Sequence, residues 1–596
     1  MAEQGYNDRL WQRIEGSIRH FEDKLEPNYK RWLDVYRTDT GGSGFNISPD
    51  DALAMNLSLS DMAEMRRYYF ARLNLATSFI DIKTSALTLR EPSFSVVILE
   101  EADFSPEKVL LIQSSLRRIW RTSKAQEAVR LADTYRRIFG YSLIKVAWDE
   151  TRDGEGNVIS EKGRTIPVSP TRILYDPAAD EPTLQKMRWL AEVVWMDRDS
   201  LDAMRTNVGW KRTSQVGSHG RLNALSTMSP KLDTITAEKV PGFSSEESKR
   251  YTDEELFPIF LVWDGSRRKY TIMAASGKDA DEKDKPYVVL HEAVDPYPFE
   301  DFYPFALLAG QHVPNDFHSI GDMQNMEPHL DLLARMFTIF TAHAMRSVPK
   351  YGYVQNAVTE QGRRALTESS VMAGVELRDG ASANSVFPLQ STPLPDALIQ
   401  GITRVEQYLN EAAGILDYHR GLMPGGRHTM GEVGQLVSLS GVRGQMQMRS
   451  LEEDMSALAI KLYDLYRFAG ATVSVVQETP DGMRQPMPIP MADLPGAVEL
   501  LVNSGSSAFS DRMSDRNDMM TLFQLLTQIP MVPPQSMPVL KHILGTFPQL
   551  SASDAIEILR SFLQAAMQQQ QAGGEAGGET QSPQAGPPPG AEAAQE

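Results

Sequence analysis

The chain has 596 residues, a net charge of −18 and no cysteine. The lack of cysteine excludes disulfides and thiolate metal sites. The sequence has no apolar run of about 18 residues, which would predict a membrane span. It also has no basic-then-apolar leader, which would predict a secretion signal. The acidic balance argues against a sequence-specific DNA reader, which usually carries a basic face, and the length predicts two to four structural units.

The N-terminal part is predicted to be helical. Apolar residues at spacings of three and four, from Trp11 to Leu25, predict an amphipathic helix that ends at Pro27. A second helix is predicted over about 105–139, and its basic residues are interpreted as a solvated face. These residues are Arg117, Arg118, Arg121, Lys124, Arg130, Arg136 and Arg137.

A series of strands is predicted next, because apolar and polar residues begin to alternate at 140–150. Further strands are predicted at 163–179, 188–196, 257–264 and 287–292. The polar stretch 211–250 is predicted to be an exposed loop. Helices followed by strands are typical of an α+β unit, here over residues 1–310.

The second half is predicted to be mostly helical. Pro328 is assigned to the first turn of a helix that reaches about Arg346. Long helical stripes then predict helices over about 394–417 and 430–468. The first of these stripes consists of Leu398, Ile402, Val405, Leu409, Ala412 and Leu416, at the spacing of a packing seam.

The glycine-rich segment 421–432, GLMPGGRHTMGE, has Gly421 and Gly426 at the spacing of a phosphate-binding P-loop. Arg427 and His428 occupy the positions where that motif requires Lys and then Ser or Thr. A predicted helix precedes the segment, whereas a P-loop follows a strand. The segment is therefore predicted to be a loop between two helices and not a P-loop. It carries basic side chains at Arg420, Arg427 and His428, which favour a functional loop; a surface loop without a function is the alternative.

Catalytic patterns are absent from the sequence. It contains no HExxH, no GxSxG and no cysteine nucleophile. His312 and His318 lack a carboxylate partner on the same face that would complete a metal site. We therefore expect no enzymatic activity, no catalytic residue, no bound metal and no cofactor.

The order of these segments resembles the portal proteins of tailed bacteriophages. The resemblance is strongest over 315–470 and extends more weakly over 74–200. The segments that carry it are NLATSFIDIKTSALTLREPSF, GYSLIKVAWDE, HVPNDFHSIGDMQNMEPHLDLL and GILDYHRGLMPGGRHTMGEVGQL.

The resemblance implies a mostly helical α+β subunit with the wing, stem, clip and crown of a portal protein. It assigns the wing to 1–318, the stem helices to 319–346 and 393–417, the clip to 347–392, the tunnel loop to 418–430, a long wing helix with a β-like return to 431–503, the crown to 504–568 and a disordered tail to 569–596.

The resemblance also implies a ring, usually a dodecamer, at one capsid vertex, through which DNA is packaged and ejected. The implied partners are double-stranded DNA without sequence specificity, the large terminase, the major capsid and scaffolding proteins and a head-completion adaptor, with no membrane. The implied location is the portal vertex of the virion, and the host cytoplasm during assembly. The alternative is another head–tail ring or scaffold protein without a DNA channel.

Two sets of residues follow from this interpretation. Basic side chains of the tunnel loop, Arg420, Arg427 and His428, are expected to touch the DNA backbone transiently. The packing stripe is expected to hold helices together within or between subunits through Leu398, Ile402, Val405, Leu409 and Leu416. An acidic ring should let a duplex slide, because many phosphate contacts would hold it too tightly.

Overall fold

The computed structural model describes residues 2–36, 75–99, 106–152, 158–225, 227–228, 256–277, 285–346, 350–367, 375–389, 396–414, 430–478 and 484–503. Helices make up 50% and strands 25% of the described residues, which confirms the predicted α+β class. None of the described helices is both long and apolar enough to span a membrane. The segments expected to form the crown and the tail, 504–568 and 569–596, lie outside the described residues.

The elements are named here in chain order. The described helices are α1 (Ala2–His20), α2 (Glu26–Tyr36), α3 (Leu75–Thr88), α4 (Pro106–Thr122), α5 (Ala125–Phe139), α6 (Arg198–Val208), α7 (Gly220–Ala224), α8 (Asp322–Arg346), α9 (Glu360–Thr367), α10 (Asp396–Ala413) and α11 (Met430–Phe468). The described strands are β1 (Phe94–Ile98), β2 (Tyr141–Arg152), β3 (Val158–Val168), β4 (Ile173–Tyr175), β5 (Trp189–Met196), β6 (Phe257–Asp264), β7 (Lys269–Ala275), β8 (Tyr287–Val294), β9 (Phe305–Ala309), β10 (Lys350–Tyr353), β11 (Val386–Leu389), β12 (Thr472–Glu478), β13 (Arg484–Pro490) and β14 (Val498–Val502).

The N-terminal helix does not end at Pro27, so that prediction was wrong. A π-helical turn, Phe21–Leu25, joins α1 directly to α2. The backbone N–H of Glu26 donates to the carbonyl of Phe21, five residues back rather than four. This wider turn accommodates Pro27, whose ring would crowd a carbonyl in a regular helix and which has no N–H to donate.

A five-stranded antiparallel sheet, in the order β4-β5-β6-β7-β8, forms the largest part of the core. Every residue of its central strand β6 is buried. On one face, Trp11 of α1 meets Phe260 edge-on, with ring centroids 5.5 Å apart. Another ring of the same strand, Trp263, meets Phe305 of β9 edge-on at 4.8 Å, so β6 packs against a helix and a second sheet.

The second sheet has the order β3-β2-β9 and is also antiparallel. Helix α5 packs on β2, and α11 packs on β9 and on β14. A separate ribbon pairs β1 with β14, with Phe94 opposite Val502 and Ile98 opposite Val498. The C-terminal part of the described chain therefore completes a unit that begins before residue 100.

The predicted helix over 105–139 is two helices rather than one. It breaks at Ser123, after which Lys124 adopts a left-handed conformation with φ of 58°. Its basic residues do not all form a solvated face, since Arg136 and Arg137 are buried. Both pair with the buried carboxylate of Asp133. Its negative charge compensates the positive charges of the two arginines, which the sequence pattern predicted to be solvated.

The stretch predicted as an exposed loop, 211–250, is only partly described. Its first part forms a short 3-10 turn, Thr213–Gln215, and the helix α7. Val216 and Leu222 are buried in the core, so this part packs against the sheet instead of lying free. Residues 229–255 lie outside the described chain.

Helix α8 begins at Asp322, and Pro328 therefore lies inside the helix rather than in its first turn. The long helix predicted over 430–468 is confirmed, since α11 spans Met430–Phe468. Its buried side chains include Leu451, Leu458 and Leu462. Met446, expected in the same stripe, is 71% exposed, so that member of the predicted stripe was wrong.

Candidate functional site

The two predicted stem helices, α8 and α10, pack against each other. Gly401 of α10 allows this close approach, because a Cβ there would lie 2.6 Å from Cε of Met336 on α8. Val405 and Leu409 are buried in the same hydrophobic cluster as Leu330 of α8. Part of the predicted packing stripe therefore holds two helices of one subunit together.

The remaining members of that stripe are less enclosed. Leu398 and Ile402 are half-buried, and Leu416 lies outside the described residues. Large side chains outside the seam stay exposed on the helix pair, at Leu332 (46% exposed), Ile399 (47%) and Tyr408 (44%). The pair therefore exposes apolar side chains in addition to the seam between its helices.

A small module lies between the two helices in the chain, within the segment expected to be the clip. Strands β10 and β11 pair antiparallel, with Lys350 opposite Leu389 and Tyr353 opposite Val386. Helix α9 lies between these strands in sequence, next to an isolated bridge from Val358 to Leu377. The helix pair thus carries a compact β-ribbon and a short helix between its two members.

Buried ion pairs surround the start of α8. Asp322 pairs with Lys83 of α3 at 2.9 Å and with Arg137 of α5 at 2.7 Å. Burial alone would raise the pKa of Asp322, but the two cations outweigh it and hold that pKa below its usual value. Asp133 behaves alike, since Arg136 and Arg137 outweigh the effect of its burial on its pKa. Both carboxylates stay charged, and Asp322 binds α8 to α3 and α5.

Glycines allow three chain segments to cross at the same point. A Cβ on Gly321 would lie 2.6 Å from the carbonyl oxygen of Arg137 and 2.8 Å from the backbone nitrogen of Gly140. A Cβ on Gly310 would lie 2.5 Å from the carbonyl oxygen of Ile320. The end of α5, the end of β9 and the start of α8 therefore meet backbone to backbone.

A cavity of about 610 Å³ lies beside this crossing. Its polar walls come from α5, from the segment between β9 and α8, and from α11; the residues include Arg136, Gln311, His312, Asn325, Gln447 and Ser450. No group of three potential metal ligands occurs among the described residues. The charges at this junction are engaged in ion pairs, which suits the positioning of helices rather than bond-breaking chemistry.

Sequence reasoning missed Asp454, which lies on α11 beside the same network. One of its carboxyl oxygens is buried and has no hydrogen-bond partner among the described residues. Burial raises the pKa of Asp454 to about 8, although Arg136 acts in the opposite direction. In the sequence, Asp454 has the pattern of a solvated helix carboxylate. The only signal of its burial is its position on the helix relative to the buried leucines of α11.

His318 is part of an aromatic cluster. Its ring lies 5.8 Å from that of Tyr29 and 5.7 Å from that of Tyr141, and its Nε2 lies 3.2 Å from the hydroxyl of Tyr29. Burial lowers the pKa of His318 to about 4. The imidazole ring of His318 therefore stays neutral near pH 7 and contributes to packing just before the start of α8.

The expected tunnel-loop residues are not in the described part of the chain. Arg420, Arg427 and His428 all fall within 415–429. The described helices α10 and α11 end and begin on either side of that segment, at Ala413 and Met430. The structure therefore describes the two helices that the loop joins. The role of Arg420, Arg427 and His428 stays a prediction.

Comparison with known proteins gives one family match. Residues 103–292 match the model of the phage P22-like portal proteins. No curated protein matches the chain. The matched segment runs from α4 to the last strand of the five-stranded sheet, and it confirms the resemblance to tailed-phage portal proteins that the sequence predicts.

Proposed function

We propose that this chain is a phage portal protein, which closes into a ring at one vertex of a capsid and forms the channel through which the genome is packaged and ejected. The family match over residues 103–292 carries the proposal. The pair α8 and α10, with the module β10–β11 and α9 between them in the chain, supports it, because the proposal requires two stem helices with a clip between them. No catalytic step is assigned to the chain.

The charge balance supports a channel in which DNA slides. A duplex carries one charge per about 1.7 Å, and each phosphate contact adds salt-dependent affinity. A ring of chains that each carry a net charge of −18 repels the duplex overall. Arg420, Arg427 and His428 on the glycine-rich segment are proposed to contact the backbone transiently without reading bases.

Exposed apolar side chains on the helix pair support ring closure. A ring needs a head-to-tail contact, in which two different surfaces of one chain meet. Leu332 of α8 and Ile399 and Tyr408 of α10 are large side chains that the single chain leaves exposed. We assign these exposed side chains, rather than the buried Leu409 seam, to the contacts between neighbouring subunits.

The proposed partners follow from the same assignment. The large terminase and later a head-completion adaptor would dock on the module at 347–392, while capsid and scaffolding proteins would surround the ring. The ring would assemble in the host cytoplasm and end at the portal vertex of the virion. A head–tail ring without a DNA channel is the competing function.

Imaging of the purified full chain tests the ring. Negative-stain micrographs are expected to show annuli with a central hole, and native mass measurement a single closed oligomer. A chain that stays monomeric, even with capsid and scaffolding proteins supplied, would overturn the proposal. A packaging assay separates the two functions, because only a channel-forming ring is required for DNA to enter the capsid.

A further inference from the structure

The first two turns of α8 are attached to other helices at two points. Asp322 is paired with Lys83 and Arg137, all largely buried. At the next attachment, Glu327 accepts a hydrogen bond of 3.0 Å from Nε1 of Trp32 and pairs with Arg31. Residues 322–327, called the base of α8 from here on, are thus held by α2, α3 and α5.

Pro328 directly follows the second attachment. It has no N–H, so the carbonyl of Gln324 receives no hydrogen bond from it, and its ring crowds that carbonyl. Both Pro328 and Gln324 are exposed, so water can solvate the carbonyl when the helix bends. The helix therefore has a weak point immediately above a firmly held base.

Above Pro328, α8 is packed on α10. The close contact of Met336 with Gly401 sets the register of the two helices. Leu409, eight residues after Gly401, and Leu330, six residues before Met336, are buried in one hydrophobic cluster. These opposite offsets fit an antiparallel pair, with Leu409 near the level of Pro328. The same cluster reaches Met326 in the base of α8, but among the described elements the extensive packing of α10 is on α8, which holds the two helices together as one body.

The chain leaves α10 close to the same level. The helix ends at Ala413, and Gly414 takes a left-handed conformation with φ of 64°. Gly414 lies five residues after Leu409, which corresponds to about 7.5 Å at 1.5 Å per residue. The weak point in one helix and the end of the other therefore lie within about one and a half turns of each other.

We propose that α8 and α10 pivot together about Pro328 as a rigid arm, while the base of α8 stays attached to α2, α3 and α5. The arm carries the module β10–β11 and α9 with it, because that module is inserted between the two helices. Under the proposed function, such a pivot would change the width of the bore. The pivot itself does not depend on ring formation.

Distance measurements between spin labels test the pivot. The chain has no cysteine, so cysteines introduced at the exposed positions Asp202 of α6 and Thr403 of α10 are labelled uniquely. A control pair uses Asp202 and Glu127, which both lie on the side of the base. Labelled full-length chain is diluted with excess unlabelled chain, so that distances between subunits do not contribute.

The distance distribution from Asp202 to Thr403 is expected to be at least about twice as broad as that of the control pair. Pro328→Ala restores the helical hydrogen bond and should narrow the distribution from Asp202 to Thr403 to the width of the control pair. The distribution of the control pair in the same variant reports whether the variant is folded. Glu327→Ala releases the second attachment and should broaden the distribution from Asp202 to Thr403. A narrow wild-type distribution, or widths that neither substitution changes, would overturn the pivot.

The same sample separates this inference from the proposed function. A chain that remains monomeric and still shows the broad distribution refutes the ring and supports the pivot. Closed rings with a narrow distribution support the ring and refute the pivot.

Discussion

The hydroxyl of Tyr466 on α11 accepts a hydrogen bond of 2.9 Å from the backbone N–H of Gly163 on β3, 303 residues away in the chain. The ring of Tyr466 also packs edge-on against Trp148, with centroids 5.1 Å apart. A Cβ on residue 163 would lie 2.5 Å from that ring. The absence of a side chain at Gly163 therefore allows the long helix to sit on the second sheet.

Gly163→Ala is expected to lower the free energy of unfolding by about 1–3 kcal/mol, because the buried Tyr466 ring must move. Chemical denaturation followed by tryptophan fluorescence measures the change. Gly16→Ala is the matched control, since a Cβ there meets no atom within 4 Å; it should leave stability unchanged or raise it slightly. Equal effects of the two substitutions would contradict the proposed contact.

Arg137→Ala is expected to destabilise the fold by about 3–5 kcal/mol, because it leaves Asp133 and Asp322 buried with reduced compensation. Arg121→Ala removes an exposed pair with Glu91 and should cost less than about 1 kcal/mol. Unfolding midpoints of the two variants at one pH make the comparison. Similar losses would show that the buried network contributes no more than a surface ion pair.

Asp454→Asn is expected to alter the pH dependence of stability. The pKa of about 8 in the folded state lies above the value of about 4 for an exposed aspartate, so unfolding at intermediate pH releases a proton. The free energy of unfolding of the wild type therefore falls as the pH rises from about 4 to about 8, by at most about 1.4 kcal/mol per unit.

Denaturation curves between pH 5 and pH 9 measure this effect. The Asn variant lacks the titrating group, so its advantage over the wild type should grow with pH across that window. Asp202→Asn, at an exposed position on α6, is the matched control for the loss of one carboxylate. A constant difference between Asp454→Asn and wild type would contradict the assignment.

Adjacent positions on α10 separate folding from ring assembly. Leu409→Asp introduces a charge into the fully buried seam with α8 and should destabilise the single chain by about 3 kcal/mol or more. Tyr408→Asp changes an exposed side chain and should leave the chain folded but impair ring closure. Denaturation and native mass measurement read the two effects. Intact rings of folded Tyr408→Asp protein would exclude Tyr408 from the subunit contact.

Arg427→Glu tests the proposed contact of the glycine-rich segment with DNA. Reversing the charge should repel the duplex from each subunit, which is expected to reduce the length of packaged DNA or its retention in the capsid. Arg205→Glu on the exposed surface of α6 is the charge-matched control. Packaged length and retention that both equal those of the control would remove Arg427 from the channel.

Local apolar patterns predicted the elements that carry a long apolar stripe or a continuous apolar run in their own sequence. The bounds of α11 follow from a long helical stripe, and β6 follows from the continuous apolar run FPIFLVWD. Strand β9 was missed, because FALLA is short and shows no alternation. Its pairing with Tyr141–Lys145 of β2 comes from a segment over 150 residues earlier, which no local pattern reports.

The errors at the start of α8 have the same cause. Pro328 favours the first turn of a helix by local rules, but Asp322 is stabilised by Lys83 and Arg137, so the helix begins earlier. Arg137 was assigned to a solvated face, although its partner Asp322 lies 185 residues away. Long-range ion pairs therefore decided both the helix boundary and the burial of the arginine.

The pairing of β1 with β14 also bears on how the protein is made. Ile98 pairs with Val498, 400 residues later, so this ribbon forms only after the segment that carries α8 and α10 has left the ribosome. At about 5–20 residues per second, synthesis of the intervening chain takes on the order of 20–80 s. During that interval a nascent chain exposes an unpaired strand, and chaperone binding or delayed association with other copies would protect it.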